Sequence, residues 1–216
     1  MKTILEIYKH YKIMPMLETH QLRVAAVAAM ICDNIDAVID QSEIISACLL
    51  HDMGNIIKFD LEQFPDAVEP LGLEYWQDVQ RDYKSKWPDE HTASIEIAKE
   101  IGVNRITLDL IANIGISKSH IVAANSDNIN QKIGTYSDMR VAPHGVIPLL
   151  ERLADLDKRY AKKFYGLEND EKKKMWRDAL LKIESDIFSQ ATITPNQIND
   201  GSVESYLPKL KKFRVV

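Results

Sequence analysis

The sequence predicts an all-α protein, and three observations carry that prediction. Glycine and proline number only eight each among 216 residues, fewer breakers than an average chain contains. Apolar residues recur at helical spacing over most of the length. Alternation of the strand type is scarce. The length allows one large or two small domains with a sizeable core. Hydrophobic residues make up 45 % and charged residues 27 %, a globular composition that argues against disorder. A net charge of −5 argues against a general nucleic-acid binder, which would show a basic face. Cys32 and Cys48, the two cysteines, both lie in apolar stretches and read as reduced core thiols of a cytoplasmic protein. No apolar run approaches the ~18 residues of a membrane span. Met1-Lys2-Thr3 opens into a mixed helix rather than a secretory signal.

Residues 2–12 form a short amphipathic helix that ends before Pro15. The next helix is predicted over 17–35, with a stripe of His20, Val24, Val27, Ala28, Ile31 and Ile35, so His20 heads its core-facing side. A third helix follows Asp40-Gln41-Ser42, and either Asp40 or Ser42 suits its cap. Its apolar run, Ile44 to Leu50, closes on His51-Asp52-Met53-Gly54-Asn55. Gly54 fits the residue just past a helix end. The stripes 44-48-51 and 45-49-52 are adjacent, which sets His51 and Asp52 about 100° apart on the helix surface. Burying both without a partner costs several kcal/mol. A cation offsets that cost, since neutral His and ionised Asp are metal ligands and the negative pole of the helix dipole lies there. The alternative is a core histidine beside a helix-end aspartate.

Residues 55–72, with Pro65 and Pro70, read as a long connection, the kind of loop that often carries function. It leaves from the His-Asp motif and brings Asn55 and Lys58 near it. Residues 73–86 form a polar helix with Tyr75, Trp76, Val79 and Tyr83 on one side, suited to a lid or an interaction surface. A further helix starts at Trp87-Pro88-Asp89-Glu90-His91, where proline and acidic residues suit a first turn. Its stripe 91-95-98 directs His91 inward. One or two short helices fill 104–123, with a break before His120, which is read as a surface residue, with entry into the site from a loop as the alternative. A helix over 127–141 ends in Tyr136-Ser137-Asp138-Met139-Arg140-Val141, with Gly134 one turn before Asp138 leaving room for a close neighbour. Pro143-His144-Gly145 is a turn. A long amphipathic helix over 147–164 carries Asp155 and Asp157 beside its apolar stripe. A last long helix, 168–189, buries Trp176, Leu180, Ile183 and Ile187. The tail has a capped turn at Thr194-Pro195 and a basic end, Lys209 to Lys212, read as solvated or partner-facing. Repeats, P-loops and dinucleotide-type glycine patterns are not found in the sequence.

His20, then His51-Asp52, then Asp138 on a separate helix resembles the HD-domain superfamily of metal-dependent phosphohydrolases. The resemblance covers about residues 15–165 and is carried most specifically by Leu49-Leu50-His51-Asp52-Met53-Gly54. It implies an HD-domain-like helical bundle with additional C-terminal helices, divided as residues 1–166 and an extension, 167–216, packed on the same domain. By position it implies that His20, His51, Asp52 and Asp138 bind one metal ion. His91 resembles the first of two further histidines that give many relatives a second ion. Relatives often carry lysine directly after His-Asp-x-Gly, where this chain has Asn55.

The chemistry so implied is phosphoester hydrolysis. A mixed nitrogen and oxygen ligand set suits Mn, Fe, Ni, Co, Zn or Mg, in descending order, and such an ion acidifies a bound water and polarises a phosphoryl oxygen. Asp52 is the candidate to orient the water as well as bind metal. Lys58, Arg140 and His144 are candidates to neutralise phosphate. The expected substrate is a small phosphorylated molecule, a nucleotide by resemblance. No membrane and no stable nucleic-acid complex are expected, and a homo-oligomer is compatible with the sequence. Two alternatives remain: a regulatory module that binds nucleotide or metal without turnover, and a di-iron oxygenase, which needs two irons and a full set of six ligands.

Overall fold

The computed structural model describes residues 2–115, 119–160 and 170–215. Among these the chain is α-helical with one two-residue antiparallel hairpin. Helix α1 (Ile4–His10) is closed by a capping box between Thr3 and Glu6. Pro15 occupies the first turn of α2 (Pro15–Cys32), where its missing N–H costs nothing. Helix α3 (Gln41–Leu50) has Asp40 at its N-cap position without a side-chain cap. Asp40 pairs instead with Asn130, whose Nδ2 donates to its carboxylate at 2.5 Å and whose Oδ1 accepts its backbone N–H at 3.1 Å. The expected cap is therefore a tie between helices.

The connection after the motif is two short 3-10 turns, Asn55–Lys58 and Pro65–Val68. Helix α4 (Leu73–Lys86) buries Trp76, Val79 and Tyr83. Asp89 caps α5 (Glu90–Ile101) by accepting the Thr92 N–H at 2.7 Å, so Pro88 stands before the helix rather than inside its first turn. Helices α6 (Arg105–Ile111), α7 (Ser119–Asn125) and α8 (Ile129–Met139) follow. The strands β1 (Val141–Ala142) and β2 (Gly145–Val146) pair Val141 with Val146. Then come α9 (Leu149–Tyr160), α10 (Asp170–Phe188), α11 (Asp200–Glu204) and α12 (Leu207–Leu210). The predicted end of the helix at Phe164 lies outside the described residues.

Helix α3 is the centre of the bundle. It packs against α2, α6 and α8, and every residue from Ile44 to Leu50 is buried. Helix α10 covers α7 and α8, and α11 and α12 lie against α2. The two ends of the chain meet: the Ile4 N–H donates to the Phe213 carbonyl at 2.8 Å, and Thr3 bridges Arg214. No helix among the described residues is long and apolar enough to cross a membrane.

Candidate metal centre

Three helices bring four side chains to one point. His20 comes from the first half of α2, His51 and Asp52 from just past the end of α3, and Asp138 from the last turn of α8. His20 Nε2 stands 3.5 Å from Asp52 Oδ2 and 3.2 Å from Asp138 Oδ1. His51 Nε2 stands 3.6 Å and 3.5 Å from the same two oxygens. The two rings are tilted, with centroids 5.5 Å apart. Ligand atoms around an ion with bonds of about 2.0–2.2 Å sit about 3.0–3.6 Å from one another, and these four contacts fall in that range. His20, His51 and Asp52 alone already offer three ligand atoms within 4.8 Å of one another.

The orientation of His51 selects the metal-binding nitrogen. Its Nδ1 lies 2.8 Å from the Cys48 carbonyl, which can only accept, so Nδ1 carries the proton. In the neutral ring that leaves a lone pair on Nε2, the arrangement in which histidine binds a metal. Nε2 is buried and has no hydrogen-bond partner, because the carboxylates at 3.5 and 3.6 Å are beyond normal bonding length. An orphaned, buried nitrogen aimed between two carboxylates fits a divalent cation.

The electrostatics agree. Burial pushes the His51 imidazole down, but Asp52 and Asp138 more than offset this and raise it to about 9. Burial pushes Asp138 up, and the His20 and His51 imidazoles beside it hold it well below the usual carboxylate range. Without metal, a proton on His51 does part of what a cation would do. A histidine raised in the folded state stabilises the fold fully below its unfolded value of about 6.5. That contribution fades as pH rises towards 9. Metal-free protein is therefore expected to lose stability between pH 6.5 and 9, whereas a saturating divalent ion removes this slope. Metal affinity should rise across the same window, because the ion must displace the proton. Thermal melts against pH, with and without Mn2+, check both, and a metal-free melt that is flat in this window would contradict the electrostatic account.

Residues not singled out in the sequence hold the motif in place. Gln21, fully buried, accepts the Asp52 backbone N–H at 3.3 Å. Ser94 accepts the Gly54 N–H at 2.9 Å and donates to the Glu90 carbonyl at 3.0 Å. Their one visible signal is polarity on otherwise buried helix faces. Gly54 itself is not the left-handed residue after a helix end: its φ is −90°. It is glycine because a Cβ would collide with the Glu90 carbonyl oxygen and stand 2.6 Å from the Ala93 Cβ. Gly54→Ala is expected to push α5 off the motif and cost about 1–3 kcal/mol, readable by urea unfolding. An unchanged midpoint would mean α5 can move freely. Gly134 likewise makes room for Ile114, 3.0 Å from the position of an added Cβ.

Other sequence expectations fare differently. His91 is exposed, and the inward face of α5 is Ala93, Ser94, Ile97 and Ala98. The docking of Ala93 and Ser94 on the motif rotates the helix away from the 91-95-98 stripe. Among the described residues, His91 is not in the group that could hold a metal. Arg140 is also corrected: it is 1 % exposed and its guanidinium is spent inside the fold. Nε donates to the Ile147 carbonyl at 2.6 Å, and Nη2 to the Ile198 carbonyl at 2.8 Å. Nη1 serves Tyr136 Oη at 2.6 Å and the Pro195 carbonyl at 3.2 Å. His144 is exposed in the hairpin turn, joined to the four residues by no hydrogen bond or ion pair among those described. Lys58 is exposed and paired with Glu90 at 3.2 Å. The side chain of His120 lies outside the described ones.

The HD domain family model matches residues 17–162. This chain belongs to the HD-domain family. The match spans all four clustered residues, most of α2 and all of α3 to α9, and it places the chain in a superfamily of metal-dependent phosphohydrolases. No curated protein and no solved structure matches the chain.

Proposed function

We propose that this HD-domain protein hydrolyses a small phosphoester, with a nucleotide the preferred class, using one divalent ion held by His20, His51, Asp52 and Asp138. The observation that carries the reading is the orphaned Nε2 of His51 facing two carboxylates. A bound ion would supply an acidified water and a Lewis acid for the phosphoryl oxygen. The residues divide the remaining work by exposure. The side chain of His51 is 1 % exposed and that of Asp138 11 %, against 20 % for Asp52 and 21 % for His20. His51 and Asp138 therefore anchor, while Asp52 is the carboxylate that incoming water and substrate meet. Asp52 Oδ2 faces the imidazoles, which leaves Oδ1 to accept a proton from an attacking water. Gln21 holds the backbone of Asp52 still while it does so.

Three observations favour a second reading, a module that binds without turnover. Lys58 is neutralised by Glu90, Arg140 is internal, and Asn55 stands where relatives often carry lysine. Metal analysis of the purified protein, joined to a phosphoester panel with each candidate ion, tests both. Hydrolysis that follows metal content and disappears in His51→Ala supports the enzyme. Stoichiometric metal with no turnover across the panel supports the module. Absence of metal binding refutes the enzyme and leaves only a nucleotide-binding module, and two irons per chain would point to oxygenase chemistry instead.

A further inference from the structure

Of the phosphate-neutralising groups suggested by the sequence, Lys58 and Arg140 are engaged elsewhere and His144 is exposed in the hairpin turn, so the cations on the helices that carry the metal centre bear on what the site can hold. Helix α3 has none, and on α8 Lys132 is buried and paired with Asp186 at 2.7 Å. Helix α2 has one, Arg23. It forms no hydrogen bond or ion pair among the described residues. Between His20 and Met30 it is also the only residue of α2 that is not buried. Every other position from Gln21 to Ala29 faces the core, so His20 and Arg23 share the accessible strip of the helix. They are three apart, neighbours on a helix surface. Helical side chains lean towards the N-terminus and cover the preceding turn, and the turn preceding Arg23 holds His20.

From this we infer that Arg23 is the anion-binding residue of the site, receiving the non-reacting oxygens of a phosphoryl group brought to the metal centre. The inference rests on the metal-dependent reading above and deepens it. The guanidinium of Arg23 is half-buried and, among the described residues, unpaired. Its planar fork matches two phosphoryl oxygens, which a lysine ammonium cannot do. Among the described residues the ligand-bearing helices offer one such cation, and Lys58 is held by Glu90, a complement that suits a terminal phosphate of low charge, a monoester, better than a triphosphate chain.

The test is calorimetric titration of inorganic phosphate into Mn2+-loaded wild-type, Arg23→Gln and Arg23→Lys proteins, with Mn2+ titrations and thermal melts alongside. Arg23→Gln is expected to weaken phosphate binding at least about tenfold, the loss of a charge-assisted hydrogen bond. Mn2+ affinity and melting temperature should stay at wild-type values, and Arg23→Lys should recover only part of the phosphate affinity. Where a substrate has been found, the loss should fall on KM more than on kcat. Equal phosphate affinity in wild type and Arg23→Gln overturns the inference and leaves the metal centre intact. So does a wild-type Mn2+ form that binds no phosphate. Loss of Mn2+ binding or folding in Arg23→Gln would make Arg23 a structural residue and overturn it too. A wild-type protein that binds no Mn2+ is a failure of the metal reading itself.

Discussion

Asp138→Asn is expected to weaken metal binding by more than about 100-fold, above the loss typical of a merely supporting residue, and to abolish metal-dependent turnover. The replacement keeps the shape and removes the charge. Asp138 Oδ1 is the closest oxygen to His20 Nε2, at 3.2 Å, and lies 3.5 Å from His51 Nε2. A carboxylate so buried, held well below its usual range by two imidazoles, is stable there only as part of a charge-balanced group. Helix α9 carries two further aspartates, and neither needs a metal ion to account for its position. Asp155 is paired with Arg152 Nη1 at 2.9 Å, and Asp157 is exposed to solvent. Asp155→Asn and Asp157→Asn are expected to keep both metal content and activity near wild type. Metal analysis of dialysed protein, with circular dichroism to confirm the fold, separates the three. A metal-deficient Asp157→Asn would move the ligand set to α9.

Arg140→Met is expected to destabilise the protein by about 3–5 kcal/mol, the scale on which a buried charged hydrogen-bond network is broken. The side chain joins three parts of the fold through four partners: Tyr136 on α8, the Ile147 carbonyl after the hairpin, and the Pro195 and Ile198 carbonyls of the C-terminal segment. Its guanidinium carbon also lies 5.5 Å from the centroid of the Tyr136 ring, and Tyr136 Oη donates onward to Glu184 at 2.7 Å. Methionine fills much of the volume but leaves three carbonyls without that donor. The C-terminal segment should therefore loosen from α8 and become sensitive to protease before the rest. Urea unfolding and limited proteolysis measure this. Wild-type stability with weakened substrate binding would return Arg140 to the substrate.

The motif itself was legible because its chemistry is local. His51 and Asp52 adjoin at the end of an apolar helix, and no other segment places two ligand types there. The spacing of His20 and Asp138 was legible through family resemblance, since nothing in their own windows distinguishes a ligand from a core polar residue. Reading His91 as inward failed for an identifiable reason. Its stripe, 91-95-98, is a fair apolar face, yet Ala93 and Ser94 fit the space beside Gly54 better. Periodicity reports which faces can be buried, while a particular close approach decides which face is. Arg140 failed in the same way, because a cation two residues from a ligand looks catalytic until its hydrogen-bond acceptors, contributed by residues up to 58 positions away, are in view.

By itself, the sequence determined that the chain is helical, that His51-Asp52 closes a buried helix, and that the apolar stripe of 168–189 faces inward through Trp176, Leu180, Ile183 and Ile187. Those properties depend on residues within one or two helical turns. Tertiary structure decided the rest. It chose Nε2 of His51 as the open nitrogen through the Cys48 carbonyl. It fixed Asp52 through Gln21 and seated Gly54 against Glu90. It also engaged Arg140 and Lys58 with other groups and left Arg23 unpaired among the described residues, three positions from His20. Each of these is a pairing of polar groups across helices, and a buried polar group takes whichever partner the packing brings within about 3 Å, which no local window of sequence specifies.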